Sequence, residues 1–203
     1  MTIKLIGSSS GSTSIDAPAA GGDRTITCPD ATGTVALTSN VLFTSYAIIC
    51  DQKDSTTDGG DFDNGAWRTR ALNTEIADQD GIVSISSNQF TLQAGTYLIK
   101  WRAPAYDVNR HVSRLYDITN SALKQYGTCA MAHSSYAVMN DSLGWARVTI
   151  TGATAYEIQH ACVTTKSSYG MGVASEINAA GASDTGTTEG HSIYTVVEIW
   201  KEL

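Results

Sequence analysis

Along nearly the whole chain, segments rich in Val, Ile, Thr and Tyr alternate with clusters of Gly, Asn, Asp and Ser, and helical periodicity is almost absent. That pattern belongs to a β-sandwich or barrel. It predicts strands over Tyr46–Asp51, Ala66–Asn73, Ile82–Ile85, Gln89–Leu92, Thr96–Tyr106, Val112–Ile118, Leu123–His133, Leu143–Thr151, Ala155–Thr165 and Ser192–Lys201. About ten strands are too many for one flat sheet of this size, so two stacked sheets are expected. With 42% hydrophobic residues in 203, the chain can bury one good core. The first forty residues differ, holding Gly7–Ser14, Gly21-Gly22 and Asp30–Gly33 around short β-prone pieces at Ile3–Ile6, Thr25–Cys28 and Thr34–Leu37. Such a segment buries too little apolar surface to fold alone and is expected to order against copies of itself or another protein. The organisation is therefore a segment over 1–43 and a globular domain over 44–203.

The closing strand is the strongest pointer to an oligomer. It sends Ile193, Thr195, Val197 and Ile199 to one face and Tyr194, Val196, Glu198 and Trp200 to the other, both mostly apolar. A strand with one solvated face alternates more cleanly, so the second face is expected to meet another subunit. In Thr96–Tyr106, Tyr97, Ile99, Trp101 and Ala103 lie on one side while Leu98, Lys100 and Arg102 lie on the other, where the two cations need anions. If the strands are neighbours, Glu198 faces Lys100 or Arg102, a pair worth about 0.2–1 kcal/mol.

Charge and motif content exclude several functions. Thirteen basic residues against twenty acidic ones give a net charge of -7 with no basic stripe, which argues against a nucleic-acid partner. The start, Met1–Ser8, carries no signal-length apolar run, and no stretch approaches a membrane span, so a soluble protein without membrane insertion is expected. Cys28, Cys50, Cys129 and Cys162 are widely spaced and read as free, mostly buried thiols. The acidic loop Asp51–Gly65 echoes a calcium loop at Asp54/Asp58 and Asp61/Asp63 but lacks the closing Glu, and reads as a solvated loop with no bound metal. His111, His133, His160 and His191 are scattered, and no nucleophile elbow, zinc helix, phosphate loop or dinucleotide fingerprint occurs. No enzyme activity, cofactor or catalytic residue is expected, and His111 and His160 read as packed or hydrogen-bonded sheet residues. The loops Ser134–Ser142, Ser167–Gly172 and Ala179–Gly190 combine small polar residues with aromatics and methionines, which makes Tyr136, Met139, Asn140, Tyr169, Met171 and Asp184 candidate recognition residues. The alternative at these positions is that Tyr and Met plug the sandwich ends.

Several stretches carry a family likeness. Gly65-Ala-Trp-Arg-Thr-Arg-Ala-Leu-Asn-Thr-Glu75, Ser87-Asn-Gln-Phe-Thr-Leu-Gln-Ala-Gly-Thr-Tyr97, Ala103-Pro-Ala, Asn109–Tyr116, Glu157–His160 and Tyr194–Trp200 resemble the C1q/TNF-like jelly-roll domains at the ends of phage and prophage fibre proteins. The resemblance spans about residues 44 to 203. It implies an all-β jelly roll of about ten antiparallel strands forming a homotrimer, with the first, last and third long strands in the inner sheet. Tyr97, Lys100, Arg102, Tyr194, Val196, Glu198 and Trp200 then become candidate trimer or inner-sheet residues. At the head, Ile15–Leu37, with its Ala-Pro piece and Pro29-Asp-Ala-Thr-Gly-Thr34 turn, resembles a short module of phage tail fibres, although Cys28 stands where an apolar residue is usual. That likeness implies attachment to another virion protein through Ile3, Leu5, Ile15, Pro18, Ile26, Pro29, Val35 and Leu37. With no room for a shaft, a junction with the particle is expected. The implied protein is a virion component made in the bacterial cytoplasm. Either it is a trimeric tail fibre whose jelly roll binds a host surface glycan or protein, or it is a head fibre or capsid decoration protein.

Overall fold

A computed structural model describes residues 3–6, 12–15, 42–177, 180–183 and 190–203. The chain divides into two units, Met1–Ala36 and Leu37–Leu203. In the first, β1 (Ile3–Ile6) and β2 (Ser12–Ile15) pair antiparallel, with Ile3 opposite Ile15. The β-prone pieces at Thr25–Cys28 and Thr34–Leu37 lie outside the described residues.

In the second unit the chain forms β3 (Phe43–Asp54), β4 (Arg68–Thr69), β5 (Thr74–Ala77), β6 (Val83–Ser86), β7 (Gln89–Leu92), β8 (Gly95–Tyr106), β9 (Asn109–Asp117), β10 (Ala122–Ala132), β11 (Met139–Ile150), β12 (Thr154–Cys162) and β13 (His191–Glu202). No helix occurs among the described residues. One sheet runs β11-β8-β13-β3-β5, and the other runs β10-β9-β12-β7-β6 with β4 beside β12. All pairings are antiparallel. The chain repeatedly crosses from one sheet to the other and returns its last strand between β8 and β3, which is a jelly-roll sandwich. The first and last long strands, β3 and β13, share a sheet as expected, together with β8, which covers the predicted Thr96–Tyr106 strand but is the second long strand because Ala66–Asn73 does not form one; the third, β9, lies in the other sheet.

The core forms where the inward rows of the two sheets meet. From the first sheet come Ala47, Ile49, Tyr97, Ile99, Trp101, Val148, Val197 and Ile199, and from the second Phe90, Leu92, Leu115, Tyr156 and Ile158, all nearly solvent-free. The indole of Trp101 donates to Ser113 Oγ across the sheets at 2.8 Å, and Ser113 and Ser142 share a 2.8 Å hydroxyl contact that continues to the Thr128 carbonyl. This relay satisfies polar atoms that burial would otherwise penalise. Gly144 sits opposite Trp101 in the ladder, and a Cβ there would fall 2.0 Å from the indole. Gly144→Ala is therefore expected to overpack the core at a cost on the order of 1–3 kcal/mol. Thermal melting by circular dichroism tests this, and an unchanged midpoint would contradict it.

The segment Ala66–Asn73 is not one strand as expected. Only Arg68 and Thr69 pair with β12, and the chain then crosses to the other sheet, where β5 joins β3. Two side chains force the crossing. Arg70 turns inward and is fully buried, donating from Nε to Thr195 Oγ1 at 2.7 Å and from Nη2 to the Met171 carbonyl at 2.8 Å. Asn73 clips onto β3 by accepting from the Gln52 N–H and donating to the Gln52 carbonyl, each at 2.9 Å. The turn Ser87-Asn88 between β6 and β7 has positive φ at both residues, the primed geometry that suits a two-residue hairpin.

Three buried ionisable groups stand near one another behind the first sheet. His111 Nδ1 and His160 Nε2 are 3.0 Å apart in the interior, and His160 also packs on Phe62 at 4.7 Å between ring centroids. Burial, followed by the neighbouring Arg70 charge, pushes His111 down to about 4, and the same causes hold His160 well below the usual imidazole range. Burial also lowers Arg70, to about 10, which leaves it charged at neutral pH. Both histidines are thus buried sheet residues in hydrogen-bonding contact with each other, as the strand motifs implied. Of the four cysteines, Cys50 is buried, Cys162 half-buried and Cys129 exposed, all three free, so burial is less general than expected; Cys28 lies outside the described residues.

Candidate functional site

The outward face of the first sheet can be read rung by rung from its register. Leu143, Arg102, Val196 and Cys50 form one rung, Trp145, Lys100, Glu198 and Ile48 the next, and Arg147, Leu98, Trp200 and Tyr46 the third. Each lies opposite an inward row of core residues because strand side chains alternate. The face therefore interleaves apolar side chains with charged ones, and within it Trp145 is 50% and Tyr46 49% exposed while Cys50 is buried by its own chain. Its charges are matched internally: Lys100 meets Glu198 at 3.5 Å, Arg102 meets Asp141 at 3.4 Å, and Arg147 meets Glu202 through two bonds of 2.8 and 2.6 Å. Surface pairs of this kind contribute no more than about 1 kcal/mol each, so their main consequence is a face without net charge.

Lys100, Arg102, Val196, Glu198 and Trp200 gather on this face, and Lys100 is the partner of Glu198. Tyr97 and Tyr194 do not, because each is buried inside its own chain. Tyr97 belongs to the inward row, with its hydroxyl on the Gln93 carbonyl. A β-bulge between Ile193 and Val196 interrupts the alternation of β13. It leaves Ile193 41% exposed and turns Tyr194 under the loop at Gly172, where its hydroxyl donates to the Thr57 carbonyl at 2.6 Å. Sequence reading missed Tyr46, Leu143 and Trp145. The signal existed, since Leu143 and Trp145 alternate with the inward Gly144, Ala146 and Val148.

Of the recognition candidates, Tyr136 stands out on the turn after β10 at 74% exposure, its ring 4.6 Å from that of His133. Met139 and Asn140 are not loop residues: β11 begins at Met139 because Tyr106 and Ala105 offer ladder partners there. Tyr169 packs edge-on against Tyr106 at 5.4 Å, and Met171 is half-buried against the cluster of Phe62, Ala105, Val108 and Ala132, so both plug the sandwich end. Asp184 lies outside the described residues, as do Pro18, Ile26, Pro29, Val35 and Leu37; Ile3, Leu5 and Ile15 lie in β1 and β2.

The acidic loop is solvated at Asp54, Asp61 and Asp63, as expected, but it is also tied to the neighbouring 166–175 segment. Asp58 accepts the Ala174 N–H and Asp61 the Ser168 N–H, while Lys53 donates to the carbonyls of Asp58 and Gly59. Its carboxylates hold the 166–175 segment down. Among the described residues no group of three or more His, Cys, Asp or Glu side chains is placed to hold a metal ion.

The jelly roll has counterparts among solved structures. The globular domain of the zebrafish complement 1qA protein is similar at 14% identity with a TM-score of 0.46, covering 77% of this chain and 96% of that one. Murine APRIL at pH 8.0 gives 8% identity, a TM-score of 0.45 and coverages of 77% and 98%. Eiger TNF from S. frugiperda gives 9%, 0.48, 80% and 94%. No family model matches the chain, and no curated protein matches it. The likeness is one of fold.

Proposed function

We propose that this chain is a structural virion protein of a tailed bacteriophage, a homotrimeric fibre in which residues 1–43 attach to another virion protein and the jelly roll at 44–203 binds the host surface. The observation that carries the reading is the outward face of the first sheet, apolar and internally neutralised. In a chain with net charge -7, that face is suited to meet copies of itself without repulsion. A closed cyclic assembly buries it on every subunit, and three is the number the sequence likeness implies. The phage assignment rests on the fibre-like motifs between Gly65 and Trp200 and on the module at Ile15–Leu37. Three copies multiply weak individual contacts, and the exposed Tyr136 turn offers one such contact.

The test is labelled recombinant protein applied to candidate host bacteria. Cell binding that competes with infection and falls at least tenfold in Tyr136→Ala is the expected result. Absent cell binding together with decoration of emptied capsids would overturn host adhesion in favour of a head-fibre role.

A further inference from the structure

The outward face of the second sheet differs chemically from that of the first. Tyr126 on β10, Arg114 on β9, Gln159 on β12 and Thr69 on β4 stand side by side in register across four strands. At the usual strand spacing of about 4.8 Å this row spans about 14 Å. The Arg114 guanidinium lies 4.0 Å over the ring of Trp67 and 4.7 Å over that of Tyr116, and the Trp67 ring in turn lies 6.0 Å from that of Tyr126. Arg114 donates from Nε and Nη2 to Gln159 Oε1 at 2.9 and 2.7 Å. Gln159 Nε2 and Thr69 Oγ1 donate to Glu157 Oε2, each at 2.8 Å, and Gln89 Nε2 donates to Glu157 Oε1 at 3.0 Å. Glu157 is only 8% exposed, so a nearly buried carboxylate locks the rotamers of the planar groups above it.

We infer that this face binds a neutral oligosaccharide. A pyranose presents a C–H face and a rim of hydroxyls, and it is complemented by aromatic surface beside planar donors and acceptors held in one layer. Here Trp67, Tyr116 and Tyr126 supply the rings, and Arg114, Gln159, Gln89 and Glu157 the fixed polar groups. The layer holds one cation, Arg114, and one anion, Glu157, joined through Gln159, so it favours neither an anion nor a cation, and the acidic chain disfavours nucleic acid. Beyond the row, Val112, Cys129, Met131 and Val163 line a shallow apolar groove of about 480 Å³, which suits the methyl of an N-acetylated sugar. This site is distinct from the Tyr136 turn and rests on the host-adhesion reading only for the origin of the sugar.

The experiment is a printed panel of neutral oligosaccharides, including chitotriose and cellotriose, probed with the full-length protein and its Trp67→Ala, Tyr126→Ala and Asp80→Ala variants, with folding checked by circular dichroism. The expected result is binding to one or more panel members, with chitotriose above cellotriose. It should fall at least tenfold in Trp67→Ala and in Tyr126→Ala and stay unchanged in Asp80→Ala, a change in the exposed turn before β6. No binding to any panel member, or binding indifferent to both Trp67 and Tyr126, overturns the inference. Cells bound through Tyr136 without sugar binding at Trp67 would sink this site and leave host adhesion standing.

Discussion

Acidification from pH 7.5 to 5.0 is expected to lower the thermal midpoint by roughly 4–8 °C. His111 and His160 are held neutral by burial and by the Arg70 charge, with His111 down at about 4 and His160 also depressed. The unfolded chain titrates its histidines near the ordinary value of about 6.5. Above that value neither state binds these protons and stability is at its full level. As pH falls through about 6.5 toward 4, the unfolded state takes up protons that the folded state refuses, and stability is lost. His111 alone loses about 2 kcal/mol by pH 5, and His160 adds to it; in a domain of this size about 2 kcal/mol gives the stated fall in midpoint. Groups facing the pair modulate the loss. The Arg70 charge deepens it, whereas Asp51, raised by burial, acts in the opposite direction at the acid end of the range. Melting curves across pH check the sign, and His160→Gln should flatten the dependence. A midpoint that holds or rises on acidification would contradict the buried neutral pair.

Reversing one charge on the outward face of the first sheet is expected to have the other large effect. Glu198→Lys sets a second ammonium against Lys100 in a rung that assembly would bury on every subunit. Breaking one partner of a buried interfacial pair typically costs about 2–5 kcal/mol, so association should weaken at least tenfold per contact. Lys100→Glu combined with Glu198→Lys restores the pair and should restore assembly, which separates pairing from misfolding. Trp200→Glu should dissociate the assembly without rescue. Light scattering reads all three, and an unchanged oligomer in Glu198→Lys would remove the pairing from the account.

How much of this was legible in the sequence depended on whether a residue's role is local. Strand alternation grouped Ile99 with Trp101 and Val197 with Ile199 on one face and set Lys100, Glu198 and Trp200 on the other, because side-chain alternation in a strand follows from position alone, whereas which face turns inward is decided by the folded sheets. It failed where the ladder is interrupted. The bulge in β13 buried Tyr194 and exposed Ile193, and no residue type there announces a bulge. It failed again at Ala66–Asn73, whose alternating pattern mimics a strand while Arg70 and Asn73 spend their polar groups on partners more than 20 residues away. The Trp67–Arg114–Gln159–Glu157 layer was invisible for the same reason, since β4, β9 and β12 are adjacent only in the folded sheet.

Sedimentation equilibrium of the unmodified protein at micromolar concentration reads its oligomeric state without any substitution. A single species of three times the 21.5 kDa chain mass that persists on dilution is the expected result. A stable monomer at those concentrations would mean that the outward face of the first sheet stays open to water, and it would contradict the trimeric reading.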